Sequence, residues 1–181
     1  MARRGLKSEL VFREEYKSNM DALARWINSV FDIGIEAEKM DNHYKIYISN
    51  KIIFRYFKNI LGFKSGRKTD TVSVPGIFFK ADEDIKKALI KGILMFDGSV
   101  ARKNGYVELY SKSRALIEDV SQILEEIGIC PGYISPEKDK YGRSRIIVRR
   151  QKELLKMLDL FEEGTEKHGR LKKISERFKK R

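Results

Sequence analysis

The apolar positions of residues 84–97 fall on two helical stripes. Ile85, Ala88, Leu89, Ile93 and Phe96 follow the i, i+3, i+4, i+7 spacing of one helix face, with Gly92 on the same line. Ile90, Leu94 and Asp97 form a second line well round from the first, and Lys86, Lys87 and Lys91 keep part of the surface wet. A helix apolar on two sides is buried on two sides. This one is expected to pack on its own sheet and on another helix, with Gly92 leaving room for close approach. Gly98 is expected in the left-handed cap after the last turn. Asp97 then stands at a helix C-terminus, where the macrodipole disfavours an anion. Something should compensate for that, and a metal cation would do so.

Beyond this helix the pattern predicts strands at 99–103 and 106–111, a helix at 114–127, strands at 132–137 and 144–150, and a helix at 152–162. The same order, without its opening helix, occurs once before. Glu15-Tyr16-Lys17-Ser18 precedes a helical pattern ending at Phe31-Asp32-Ile33-Gly34-Ile35, and Tyr110-Ser111-Lys112-Ser113 precedes one ending at Glu125-Glu126-Ile127-Gly128-Ile129. Tyr16 and Tyr110 are 94 positions apart, and so are Gly34 and Gly128. A strand-like hairpin follows each glycine, an apolar helix each hairpin, and a basic loop each helix. The chain therefore reads as three segments. Residues 1–80 are a partial first repeat opening on the strand Leu10 to Tyr16, residues 81–163 a complete second unit, and residues 164–181 a basic C-terminal tail or helix. Leu171, Ile174 and Phe178 recur at helical spacing in that last segment, which carries eight Lys and Arg from Lys167 onward against one acid, Glu176.

Charge narrows the partner. With 38 Lys and Arg against 26 Asp and Glu, the net charge of +12 over 181 residues makes nucleic acid the leading partner class. The single cysteine, Cys130, leaves no disulfide framework and no Cys-based metal site, and the two histidines, His43 and His168, exclude a His-rich one. No secretory or membrane-spanning segment is visible, so the expected compartment is the cytoplasm, in association with the nucleoid.

The run Ile90-Lys91-Gly92-Ile93-Leu94-Met95-Phe96-Asp97-Gly98 resembles the LAGLIDADG motif of homing endonucleases. The motif's glycines match Gly92 and Gly98, and its catalytic acid matches Asp97. Ser99-Val100 after it and Val74-Pro75-Gly76-Ile77-Phe78-Phe79-Lys80 before it continue the resemblance. Three positions depart from the motif. Met95 replaces its earlier acid, Lys91 a small residue, and Phe96 a small residue where two such helices touch.

The resemblance implies an α+β fold, a LAGLIDADG-like α-β-β-α-β-β-α unit preceded by a partial copy lacking the first helix. It implies a metal-dependent, site-specific endonuclease, intron- or intein-associated, in which one acid from the foot of each motif helix holds Mg²⁺ or another divalent cation against the scissile phosphate. Here Asp97 is the metal ligand and catalytic acid, Gly98 offers a backbone carbonyl, and Lys112 is the basic catalytic candidate. One chain supplies one such acid, so a homodimer through helix 84–97 is expected, its interface formed by Ile85, Leu89, Gly92, Ile93 and Phe96.

Double-stranded DNA is expected on the outer faces of the strands. Arg143, Arg145 and Arg149 alternate with Ile146 and Val148, and Lys45 and Tyr47 alternate in the same way in the first repeat. Arg102 and Lys103 are further candidates on the strands. Lys64, Arg67, Lys68, Lys167 and Arg170 are candidates on the basic loops, suited to phosphates. The alternative is a catalytically inactive DNA- or RNA-binding relative, either a transcriptional regulator or a splicing maturase.

Overall fold

The computed structural model describes residues 8–63 and 70–179, and the chain divides into two compact units, one ending at Phe63 and one beginning at Lys64. In the first unit, β1 (Leu10–Glu14) leads to α1 (Lys17–Phe31), then β2 (Glu38–Lys39), β3 (Tyr44–Ile48) and α2 (Lys51–Arg55), which runs on into a π-helical turn at Tyr56–Ile60. The sheet is antiparallel in the order β1-β3-β2. Met20, Ala24 and Ile27, spaced by four and three, turn one face of α1 inward, and Ile46 and Ile48 meet that core from β3. Asn50 caps α2, its side-chain oxygen accepting from the N–H groups of Ile52 and Ile53 at 2.9 and 3.1 Å.

The second unit opens with a 3₁₀ turn at Gly76–Lys80 and continues through α3 (Glu83–Phe96), β4 (Gly98–Ala101), β5 (Tyr106–Ser111), α4 (Arg114–Glu126), β6 (Tyr133–Ile134), β7 (Ser144–Val148) and α5 (Gln151–Lys156). A 3₁₀ turn at Met157–Leu160 and α6 (Glu166–Lys179) complete it. Its sheet runs antiparallel in the order β4-β5-β7-β6. This is the expected α-β-β-α-β-β-α order. One side of the sheet packs Val107, Leu109, Ile146 and Val148 against Ile117, Val120 and Leu124 of α4 and Ile90 and Leu94 of α3. The segment ahead of α3 belongs to this unit. Val74 is buried in the core with its N–H donating to Asp119 Oδ2 at 2.8 Å, and the Ser113 hydroxyl donates to the Val72 carbonyl.

The two units repeat one plan. In each, a strand, a helix and a hairpin give a sheet in which the first strand pairs with the last: β1-β3-β2 in one, β5-β7-β6 in the other. Gly34 and Gly128, the glycines marking the repeat, both take positive φ, 61° and 77°, where only glycine turns freely from helix to strand. Among the described residues the first unit has no counterpart of α3 or β4.

Two elements differ from the sequence pattern, and a third resolves a choice that the pattern left open. The strand expected at 132–137 is regular only over Tyr133–Ile134: Gly132 and Ser135 still donate to the Ile147 and Arg145 carbonyls at 3.0 and 2.9 Å, but the Ser135 hydroxyl takes the Arg145 N–H at 2.9 Å, and Pro136 has no N–H with which to continue. The closing helix expected at 152–162 is a short α-helix that tightens to 3₁₀ at Met157. The basic end of the chain is α6, anchored in the core by Leu171 and Ile174.

Candidate functional site

The outer face of the second sheet follows from alternation along β7. Ser144, Ile146 and Val148 are buried, so Arg143, Arg145, Ile147 and Arg149 project to the other side. Register brings Tyr110 of β5 opposite Arg145, and aligns Ser99, Glu108, Ile147 and Tyr133 in one row across all four strands.

Two arginines on this face are held by aromatic rings. The Arg143 guanidinium lies 4.7 Å from the Tyr110 ring centre and 4.9 Å from that of Tyr141, while Asp139 accepts from its Nε at 3.0 Å. Arg145 lies 5.4 Å over Tyr133 and reaches the Tyr110 hydroxyl at 3.5 Å. Asp139 builds the loop that delivers Arg143, accepting also from the Tyr141 and Arg143 N–H groups at 2.9 Å. Between these residues and Ser135 lies an open recess of about 310 Å³. The rings hold both guanidiniums in place on this face, and the Nε and Nη2 edge of Arg143 is engaged by Asp139. An arginine held in this way keeps its full charge and further N–H donors for a nucleic-acid partner.

Other residues expected to bind DNA lie elsewhere in each unit. Arg149 is exposed beyond the end of β7, and Arg102 and Lys103 are exposed on the β4–β5 turn, where the Arg102 carbonyl accepts from Arg177 of α6 at 3.0 Å. In the first unit, Lys45 and Tyr47 share the outer face of β3, the ammonium 5.0 Å over the ring. Arg13 of β1 stands opposite Lys45. Sequence reading missed Arg13, although its alternation with the inward Phe12 was the available signal. Arg170 pairs with Glu166 one turn earlier on α6, and Lys112 is exposed one residue past β5. Lys64, Arg67 and Lys68 lie outside the described residues.

Lys167 stands elsewhere than a loop contact to phosphate would require. It is only 9% exposed, and its ammonium donates to the carbonyls of Leu94, Met95 and Phe96 at 3.3, 2.5 and 3.3 Å. These are last-turn carbonyls of α3; the Asp97 N–H reaches that of Leu94, and those of Met95 and Phe96 lie past the last intrahelical donor. The positive charge required at this helix end is therefore supplied by the chain itself.

Asp97 follows immediately. It keeps an exposed side, yet enough protein surrounds the carboxyl that lost hydration raises its pKa above the ordinary aspartate value, and the nearby Lys167 charge offsets part of that rise. Gly98 is not in a left-handed cap. It opens β4, and a Cβ there would meet the Leu94 carbonyl oxygen at 2.6 Å. Glycine is required by close approach of helix and strand rather than by φ. Within a single chain the donor set of a metal centre is incomplete. Among the described residues no three His, Cys, Asp or Glu side chains gather, and the carboxylate present already faces a buried ammonium.

On α3 the second stripe turns inward, with Ile90, Leu94 and Met95 buried. The first stripe stays partly open, although Leu89 and Ile93 pack against the unit's own core. Ile85 is 49% exposed, Ala88 is exposed, and Leu89, Gly92, Ile93 and Phe96 are half-buried. A Cβ on Gly92 would meet nothing within 4 Å.

Residues 84–162 match the family model of the LAGLIDADG-like domain. Among curated proteins, the probable translation initiation factor IF-2 of Thermococcus kodakarensis is 25% identical over 103 residues, which cover 56% of this chain and 9% of the relative. The chain thus spans less than a tenth of that protein. Among solved structures, the crystal structure of I-DmoI in complex with DNA and Ca superposes with a TM-score of 0.64 at 18% identity, covering 89% of this chain and 81% of that one. The N-terminal LAGLIDADG domain of DUF199/WhiA superposes with a TM-score of 0.54 at 16% identity, covering 83% and 70%. At these identities the likeness establishes the fold. No helix among the described residues is long and apolar enough to cross a membrane.

Proposed function

We propose, from the premise that residues 84–162 belong to the LAGLIDADG family, that this chain binds duplex DNA through the outer faces of its two sheets, in association with the nucleoid. The observation carrying this reading is the ring-stacked pair Arg143 and Arg145 on an outward sheet face. A twisted two-stranded ribbon with outward arginines fits a major groove about 12 Å wide. Lys45, Arg13, Arg102 and Lys103 add positive charge for phosphates. The test is fluorescence anisotropy with a random-sequence duplex pool at several salt concentrations. Binding that weakens with salt, and weakens further in Arg143→Ala/Arg145→Ala, supports the reading. Absence of duplex binding, or preference for structured RNA over every duplex, overturns it.

A second reading is cleavage of that DNA with Mg²⁺ or another divalent cation, carried out by a homodimer. It is favoured by the exposed side of Asp97 and the partly open stripe of α3, along which a second copy would bring a second Asp97. Plasmid nicking with Mg²⁺ or Mn²⁺ that disappears in Asp97→Asn would support it. A chain that binds DNA and never nicks it leaves the first reading alone.

A further inference from the structure

The family's expected cation and the charge seen at the foot of α3 are different objects. We propose that the Lys167 ammonium takes the place of a divalent cation there, so that the free chain holds Asp97 at the end of its motif helix without a resident metal. An ammonium has three N–H donors and no acceptor, and each donor here has a carbonyl within reach: Leu94, Met95 and Phe96. This is the service a bound cation would otherwise give to the end of a helix. A buried ammonium is costly unless paired and hydrogen-bonded. Three carbonyls and the neighbouring Asp97 charge meet that condition.

The ammonium is also fixed in place. Lys167 belongs to the first turn of α6, and Leu171 and Ile174, four and seven residues on, sit in the core of the same unit. The backbone that carries its stem is therefore held against the core. A divalent ion at Asp97 would meet this like charge in a poorly screened setting, where repulsion is several times stronger than in water. Lys167 lies outside residues 84–162, the segment that matches the family model.

The inference is independent of DNA binding, since it concerns the free protein. The test is a Mn²⁺ titration of the full-length chain followed by amide NMR, comparing wild type, Asp97→Asn, Lys167→Gln and Lys167→Met. In wild type, the signals of residues 95–99 should broaden no earlier than those of scattered surface carboxylates. In Lys167→Gln or Lys167→Met they should broaden first, at roughly tenfold lower Mn²⁺ or less, and the added Asp97→Asn substitution should abolish the effect. Early broadening at residues 95–99 in wild type, lost in Asp97→Asn, would overturn the proposal. So would folded Lys167 variants that gain no Mn²⁺ preference. If both Lys167 variants fail to fold, the wild-type and Asp97→Asn pair decides alone.

Discussion

A side chain on residue 98 would stand 2.6 Å from the carbonyl oxygen of Leu94, closer than a Cβ contact can be. The motif helix and β4 join without a loop, and only a residue without Cβ permits the junction. Gly98→Ala must shift either the last turn of α3 or the start of β4, at a cost of about 1–3 kcal/mol. Gly92→Ala is the opposite case. Its Cβ enters open space in a helix interior, where alanine is favoured over glycine by about 1 kcal/mol. Urea denaturation should show opposite signs for two alanines six residues apart.

The repeat and the inward and outward sides of both sheets were legible because they depend on local period. Ile146 and Val148 alternate with Arg145 and Arg149 whatever the rest of the chain does, and Gly34 and Gly128 mark the same turn twice. What stayed hidden depends on contacts across long separations. Lys167 finds its carbonyl partners more than 70 positions away, and nothing within 164–170 distinguishes it from Arg170, which merely pairs with Glu166 on the surface. The two stripes of α3 were visible, but which one faces its own core was not. Both are apolar, and the choice is made by how α3 meets α4 and the sheet.

Arg143 and Arg145 should differ from simple surface charges. Arg143→Lys keeps the charge but loses planar stacking on Tyr110 and Tyr141 and the Asp139 Nε bond. If Arg143 reads a base, this substitution should lower affinity for a selected site by about 1–3 kcal/mol and relax one position of its sequence preference. Lys45→Ala should instead weaken binding to all duplexes alike and reduce the salt slope by about one. Selection from a random duplex pool with each variant separates the two outcomes.

Asp97 imposes a pH dependence with a definite sign. Its carboxyl is raised in the fold, lost hydration outweighing the Lys167 charge, so the folded state holds a proton that the unfolded chain releases. Stability from this group falls as pH rises through the carboxylate range, from the ordinary aspartate value upward, and is then level. Asp97→Asn removes the titration. The variant should be the more stable at pH 7, and its advantage should shrink below about pH 4. Parallel denaturation of both proteins across that range measures it, and an advantage that grows toward acid would contradict the assignment.

Glu108 is the one acid in the central row of an otherwise basic face, between Ser99 and Ile147, and its Oε2 is buried without a hydrogen-bond partner. A covered, unpaired carboxylate oxygen costs stability, and its charge repels phosphate. Glu108→Thr, which suits a strand, should raise stability by about 1 kcal/mol. It should also strengthen non-specific duplex binding at low salt. Thermal melts and anisotropy on one random duplex test both effects. If Glu108 instead accepts from a base amino group, binding to a selected site will weaken while non-specific binding strengthens.

Gly92 separates folding from assembly. The partly exposed line through Ile85, Leu89, Gly92 and Ile93 is where a second copy of α3 would lie, and the distance between two packed helices is set by the side chains at their closest approach. Gly92→Leu projects into space that is empty within its own unit, so it should leave the fold intact. It should nevertheless push a facing helix outward and disperse any dimer formed along this stripe. Sedimentation equilibrium should show wild type as a dimer and Gly92→Leu as a monomer, with unchanged circular dichroism. If both sediment as the same species, α3 is not the interface. The second Asp97 that cleavage requires would then have to arrive by another route.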